Sequence, residues 1–126
     1  MPAPAPGASA SAHLTVTDAD TARAVGSGDV AVLATPRLLA VCEAATVAAV
    51  APALAPHETT VGARVVLDHL APSPVGACVC AEAVLTAVEG RRLTFRVVAR
   101  EGERVIAEGT VLRVIAPRAR FEAASG

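Results

Sequence analysis

The stretch Pro36 to Val50 is apolar on nearly every side of a helix, yet it holds one carboxylate, Glu43. A surface helix needs a polar face. This one has almost none, so it is expected to be buried on most sides. A lone carboxylate in such surroundings is costly unless it is paired or put to use, which makes Glu43 a candidate functional residue. Thr35-Pro36 marks the start, with Thr as N-cap and Pro at the first helical position. Pro52 and Pro56 cannot continue the helix, so it should end between Val50 and Leu54.

The rest of the chain reads as strands. Leu14–Thr17 is a short first strand, and Ala24–Val30 a loop with turn residues. After the helix, Thr59–Leu70, Ala77–Glu89, Arg92–Arg100 and Arg104–Ile115 are β-branched or alternating. Glu89-Gly90 and Glu101-Gly102 are turns between them. Short turns imply antiparallel neighbours. A sheet with one apolar face needs a cover, and the only apolar helix must supply it. The expected class is α+β: an antiparallel sheet wrapped around one long central helix, which is the hotdog architecture. The domain should span residues 13–116. Residues 1–12, a low-complexity run of Ala, Pro and Ser, are expected to be a disordered tail, and 117–126 a C-terminal tail.

Composition removes several alternatives. The chain of 126 residues is 53% hydrophobic and 2% aromatic, so its core must be built from Val, Ala and Leu. A net charge of -1 and two Phe give neither the basic surface nor the stacking rings of a nucleic-acid partner. Mean hydropathy is high at +0.52, but no charge-free run has the length of a membrane span, so no membrane partner is expected. Such hydrophobicity in a small chain points instead to burial in an oligomer, most commonly a two-fold dimer. The first residues lack the basic and apolar regions of a signal peptide, and a cytoplasmic location is the expectation. Cys42 lies in the apolar helix. Cys78 and Cys80 point the same way from one strand, and with no other ligand cluster in the sequence they read as packing, so no metal is expected.

With a period of two, Val61, Ala63, Val65, Leu67 and His69 share the core-facing side of their strand, and Thr60, Gly62, Arg64, Val66 and Asp68 the other. His69 then faces the helix just before the Pro72-Ser73-Pro74 bend. Taken singly, a core His is a structural residue and Thr35 a helix cap. An imidazole and a carboxylate meeting in a half-buried place is the ordinary arrangement for general-base chemistry.

The stretches Leu33–Pro36, Val41–Ala45, Val50–Leu54, Thr60–Gly62 and Leu67–Gly76, with Val88–Leu93 and Gly109–Arg113, resemble the fluoroacetyl-CoA thioesterase family of hotdog proteins over roughly residues 30–115. The resemblance implies catalytic roles for Thr35, Glu43 and His69, and substrate-pocket roles for Gly62 and Arg113. On sequence pattern alone Gly62 reads as a strand bulge and Arg113 as a solvated edge charge. One departure is plain. Fluoroacetate-specific members carry Phe in a lid ahead of the helix, whereas Val25–Leu33 holds no aromatic residue. The resemblance therefore carries the reaction class, hydrolysis of a small acyl-CoA thioester, and not the fluorinated substrate.

On this reading His69 is the general base on water or on the Thr35 hydroxyl, and Glu43 either orients His69 or attacks as a nucleophile. Coenzyme A belongs to the substrate, and no further cofactor is implied. Thr35 and Glu43 lie eight positions apart, about 12 Å along a regular helix, so both cannot easily reach one carbonyl from the same chain. A homodimer with sites at its interface is expected. Two other readings stay open. One is a hotdog hydratase or dehydratase, opposed by adjacent Asp68-His69 facing opposite ways on a strand. The other is a non-catalytic acyl-binding protein, opposed by the retained Thr, Glu and His.

Overall fold

In the computed structural model, which describes residues 3–125, five strands form one antiparallel sheet in the order β1-β3-β4-β5-β2. The strands are β1 (Ser9–Thr15), β2 (Glu58–His69), β3 (Cys78–Glu89), β4 (Arg92–Glu101) and β5 (Arg104–Pro117). Between β1 and β2 lie a single helical turn, α1 (Ala22–Val25), and the long helix α2 (Thr35–Val50), extended by a 3-10 turn over Ala51–Ala53. The sheet curls around α2, as the apolar pattern requires. Gly90 and Gly102 adopt positive φ, both +62°, where they close the two hairpins that hold β3, β4 and β5 together; a side chain there would be strained.

The core is built from small residues around one ring. Phe95 is fully buried on β4, with Leu85 and Leu93 beside it and Leu38, Cys42 and Ala45 on the facing side of α2. Burial pushes the Cys42 thiol up to about 11, with the neighbouring Glu43 charge adding to the effect, so Cys42 is inert packing. The opposite side of α2 is not covered within the chain: Ala40, Ala44, Val47 and Ala48 are exposed. The helix expected to be enclosed on most sides is thus half-covered, with an apolar stripe facing outward. Thr35–Ala53 is long and apolar enough to cross a membrane by length and composition. It also carries Arg37 and Glu43, and packs one full side against the sheet.

Three expectations are corrected. The tail over residues 1–12 is already strand from Ser9. The alternation is present in Ser9-Ala10-Ser11-Ala12-His13-Leu14, with Ala10, Ala12 and Leu14 packed on the core, but alanines give it too little bulk to stand out. Thr17 lies beyond β1 and begins a 3-10 turn over Asp18–Asp20. The C-terminal tail is helical over Arg118–Ser125 (α3), composed largely of good helix formers. It is tied down by Arg118, which donates its N–H to His57 O at 2.8 Å and Nε to Pro56 O at 3.1 Å. Met1, Pro2 and Gly126 of the two expected tails lie outside the described residues.

Candidate active site

Thr35 does not cap α2. The N-cap is Ala34, and Thr35 is the first helical residue with Pro36 behind it. Its hydroxyl is therefore released from the helix end, and it lies 2.7 Å from His69 Nδ1. The hydroxyl donates to Nδ1 when the ring proton sits on Nε2. His69 is the last residue of β2, and its Nε2 is buried with no hydrogen-bond partner among the described residues. The imidazole's hydrogen-bonding outlet is therefore Nδ1, through the Thr35 hydroxyl. Burial lowers the His69 pKa, and the main chain of Ala71 works in the opposite direction. At neutral pH the ring is an uncharged base.

The pair opens on a cavity of about 350 Å³, walled by Ser27–Val30 on one side and Leu70–Pro72 on the other. The first wall is a hairpin-like lid, stitched by Ala22 N to Val32 O at 2.9 Å and Arg23 N to Val30 O at 3.1 Å. Its base is pinned by Asp20. That carboxylate accepts from Thr17 N at 2.8 Å, Thr17 Oγ1 at 2.9 Å and Arg37 Nε at 2.9 Å. Its main-chain carbonyl accepts from Ala34 N at 2.9 Å. The Thr17 N–H is the chief influence holding the Asp20 carboxyl below its usual range, helped by the Thr17 hydroxyl and Arg37 and opposed by burial. Asp20 so fixes the turn that carries Thr35. The sequence reading missed it, although Thr17-x-x-Asp20 follows a capping-box spacing.

Glu43 lies elsewhere. Its Oε2 accepts from Arg113 Nη1 at 3.2 Å, and no hydrogen bond joins it to His69 or Thr35 among the described residues. Arg113, far from being a solvated edge charge, has a side chain only 8% exposed, against 34% for Glu43. It is held by Thr60 as well, donating Nε to Thr60 Oγ1 at 2.9 Å and Nη2 to Thr60 O at 3.1 Å. Burial pulls the guanidinium pKa down, and the Glu43 charge and hydrogen bond push it back. Thr60, assigned from the sequence to the face away from the helix, gave no functional signal there, because its role depends on a partner on the adjacent strand.

The period-two assignment of β2 fails at one point. The register to β5 shifts between Gly62 and Arg64, so Ala63 is an extra residue that reverses the alternation. Beyond it Val65, Leu67 and His69 face the helix as expected. Before it Thr60 and Gly62 do so, in place of Val61 and Ala63. A Cβ on Gly62 would stand 2.7 Å from Glu43 Oε2 and 3.6 Å from Arg113 Nη1. Glycine leaves room for this close approach, and a methyl group would push the flexible end of Glu43 aside. Gly62→Ala is expected to displace Glu43 and lower kcat about tenfold or more, with little change in melting temperature because the site is open. Unaltered steady-state kinetics of a folded Gly62→Ala protein would remove Gly62 from the site.

One chain thus holds two separate clusters: Thr35 with His69, and Glu43 with Arg113, Thr60 and Gly62. On the sheet's outer face the register sets Cys80 opposite His13 and Cys78 opposite Thr15. Among the described residues no group of three His, Cys, Asp or Glu side chains is placed to hold a metal ion.

The family model for FlK, described as fluoroacetyl-CoA-specific thioesterase, matches residues 16–119. Over 92 residues the chain is 39% identical to the fluoroacetyl-CoA thioesterase of Streptantibioticus cattleyicolor, covering 73% of this chain and 66% of that protein, just under two thirds of its length. The solved structure of a threonine-to-serine variant of a fluoroacetyl-CoA thioesterase in complex with acetyl-CoA superposes with a TM-score of 0.91. It is 30% identical, with 97% of this chain and 96% of that one covered. A thioesterase superfamily member from Thermus thermophilus gives 0.87 at 32% identity, covering 96% and 90%.

Proposed function

The chain belongs to the fluoroacetyl-CoA-specific thioesterase family, and from that premise we propose that it hydrolyses short acyl-CoA thioesters as a homodimer. Each site is then shared: Thr35 and His69 come from one chain, Glu43 and Arg113 from its partner. The observation that carries this reading is the separation of the two clusters. Eight helical positions, about 12 Å, part Thr35 from Glu43, and each cluster taken alone lacks half of the chemistry. Two further features support a second copy: the apolar stripe of Ala40, Ala44, Val47 and Ala48 on α2, and the free edge of the twelve-residue strand β2.

In the proposed mechanism the thioester carbonyl sits between the clusters. Arg113 occupies Oε2 of Glu43, which leaves Oε1 to attack. The new C–O bond forms, the C–S bond breaks, and coenzyme A leaves as its thiolate. His69, through the Thr35 hydroxyl, then takes a proton from water as that water attacks the acyl-Glu43 anhydride. The acid departs, Glu43 is restored, and the proton passes to the thiolate. The Arg113 bond to one carboxylate oxygen, which leaves the other oxygen for the carbonyl, supports a nucleophilic role for Glu43 over one of orienting the imidazole. The lid of Ser27–Val30, with no aromatic side chain, favours unfluorinated acyl groups.

Complementation tests the shared site. His69→Ala and Glu43→Gln chains are each expected to be inactive in a thiol-release assay with acetyl-CoA. Co-expressed, they form mixed dimers with one doubly damaged and one intact site, so about half of the wild-type rate per mixed dimer should return. No recovery in purified mixed dimers would put both clusters to work within one chain, or refute the site altogether.

A further inference from the structure

The cavity beside Thr35 carries a charge signature that bears on the substrate class, given the thioesterase reading above. Its lining is aliphatic or small apart from Ser27, Asp29, Thr35 and His69. With His69 neutral, Asp29 is its one formal charge. The Asp29 side chain is exposed and has no hydrogen bond or ion pair with any described residue. Two guanidinium groups near the walls have other hydrogen-bond partners than this carboxylate. Arg23 donates Nε and Nη2 to the main-chain carbonyl of Asp29, at 3.4 and 3.5 Å, and not to its carboxylate. Arg104, behind the opposite wall, donates to Pro72 O at 2.9 Å and pairs with Glu101 at 3.2 Å.

Two consequences follow from this carboxylate without a hydrogen-bond partner. The lining offers no cationic side chain to the phosphates of coenzyme A, so the cavity suits the acyl end of the substrate. The Asp29 carboxylate, an acceptor without a partner, discriminates among acyl groups by their far ends. A volume of about 350 Å³ holds a chain of a few carbons and keeps its terminus near Asp29. We propose that Asp29 is the specificity residue of this cavity. It selects short acyl groups that end in an ammonium or another hydrogen-bond donor, and it disfavours those that end in a carboxylate.

The test uses β-alanyl-CoA and malonyl-CoA, short acyl thioesters of opposite terminal charge, with acetyl-CoA as the reference, on wild-type protein and Asp29→Asn. Wild type should show a higher kcat/KM for β-alanyl-CoA than for malonyl-CoA by about tenfold or more, and Asp29→Asn should reduce that ratio by about tenfold, the size of one screened like-charge contact. Each ratio is taken within one protein, so differences in folded fraction cancel. A change of threefold or more supports the proposal. A smaller change, with acetyl-CoA still hydrolysed, overturns the role of Asp29 and leaves the thioesterase reading standing. Absence of thiol release from all three substrates by wild type overturns both.

Discussion

His69→Ala should lower kcat by at least about a hundredfold, the low end for a positioned general base, and should erase the acid limb of the pH profile. The sign follows from the burial of the imidazole. Its pKa lies below the ordinary value of 6.5, so the active, neutral form predominates above that lowered value. Activity is lost as the pH falls through it and the ring becomes charged. In wild type, kcat/KM should therefore be level around neutrality and decline only below 6.5. A His69→Ala protein that keeps the same acid limb would assign that limb to another group. One that keeps the wild-type rate would remove the imidazole from the reaction.

Glu43→Gln should cost at least about a hundredfold in kcat with acetyl-CoA, since an amide cannot take over the attack of a carboxylate. Acid-quenched wild type under turnover should carry the acyl mass on the peptide containing Glu43, and the variant should not. The substitution also removes the negative charge beside Arg113, whose guanidinium is nearly buried and keeps its bonds to Thr60. A loss of about 1–3 kcal/mol of stability is expected on that account, moderated because Glu43 itself is a third exposed and water can reach the gap. Stability and activity separate cleanly here. A variant as stable as wild type but inactive leaves the nucleophile in place, whereas wild type with no acyl label, under conditions that trap other acyl-enzymes, would return Glu43 to orienting or water-activating duty.

Both predictions rest on positions that one chain keeps apart, which bears on how much a sequence can disclose. The helix from Thr35 to Val50, the prolines that close it and the glycine turns at Gly90 and Gly102 follow from local rules. Periodicity, capping and backbone freedom act within a few residues, and each is written in the chain. The family resemblance was legible in the sequence as well, and the fold and the family model agree with that resemblance. The Ser-Ala alternation of β1 was equally present, but side chains so small leave a pattern without weight.

What the tertiary structure decided was partnership. One inserted residue, Ala63, reverses which side of β2 faces the helix, and only the pairing with β5 reveals it. Arg113 looks solvated until Thr60 and Glu43 close over it from a neighbouring strand and from α2. Thr35 looks like a cap until the helix is seen to begin one residue earlier, freeing its hydroxyl for His69. The sequence alone determined the elements and the chemical groups they carry, because those depend on neighbours along the chain. Which groups meet depended on register, bulge and crossing, set by contacts tens of residues apart that no local pattern encodes.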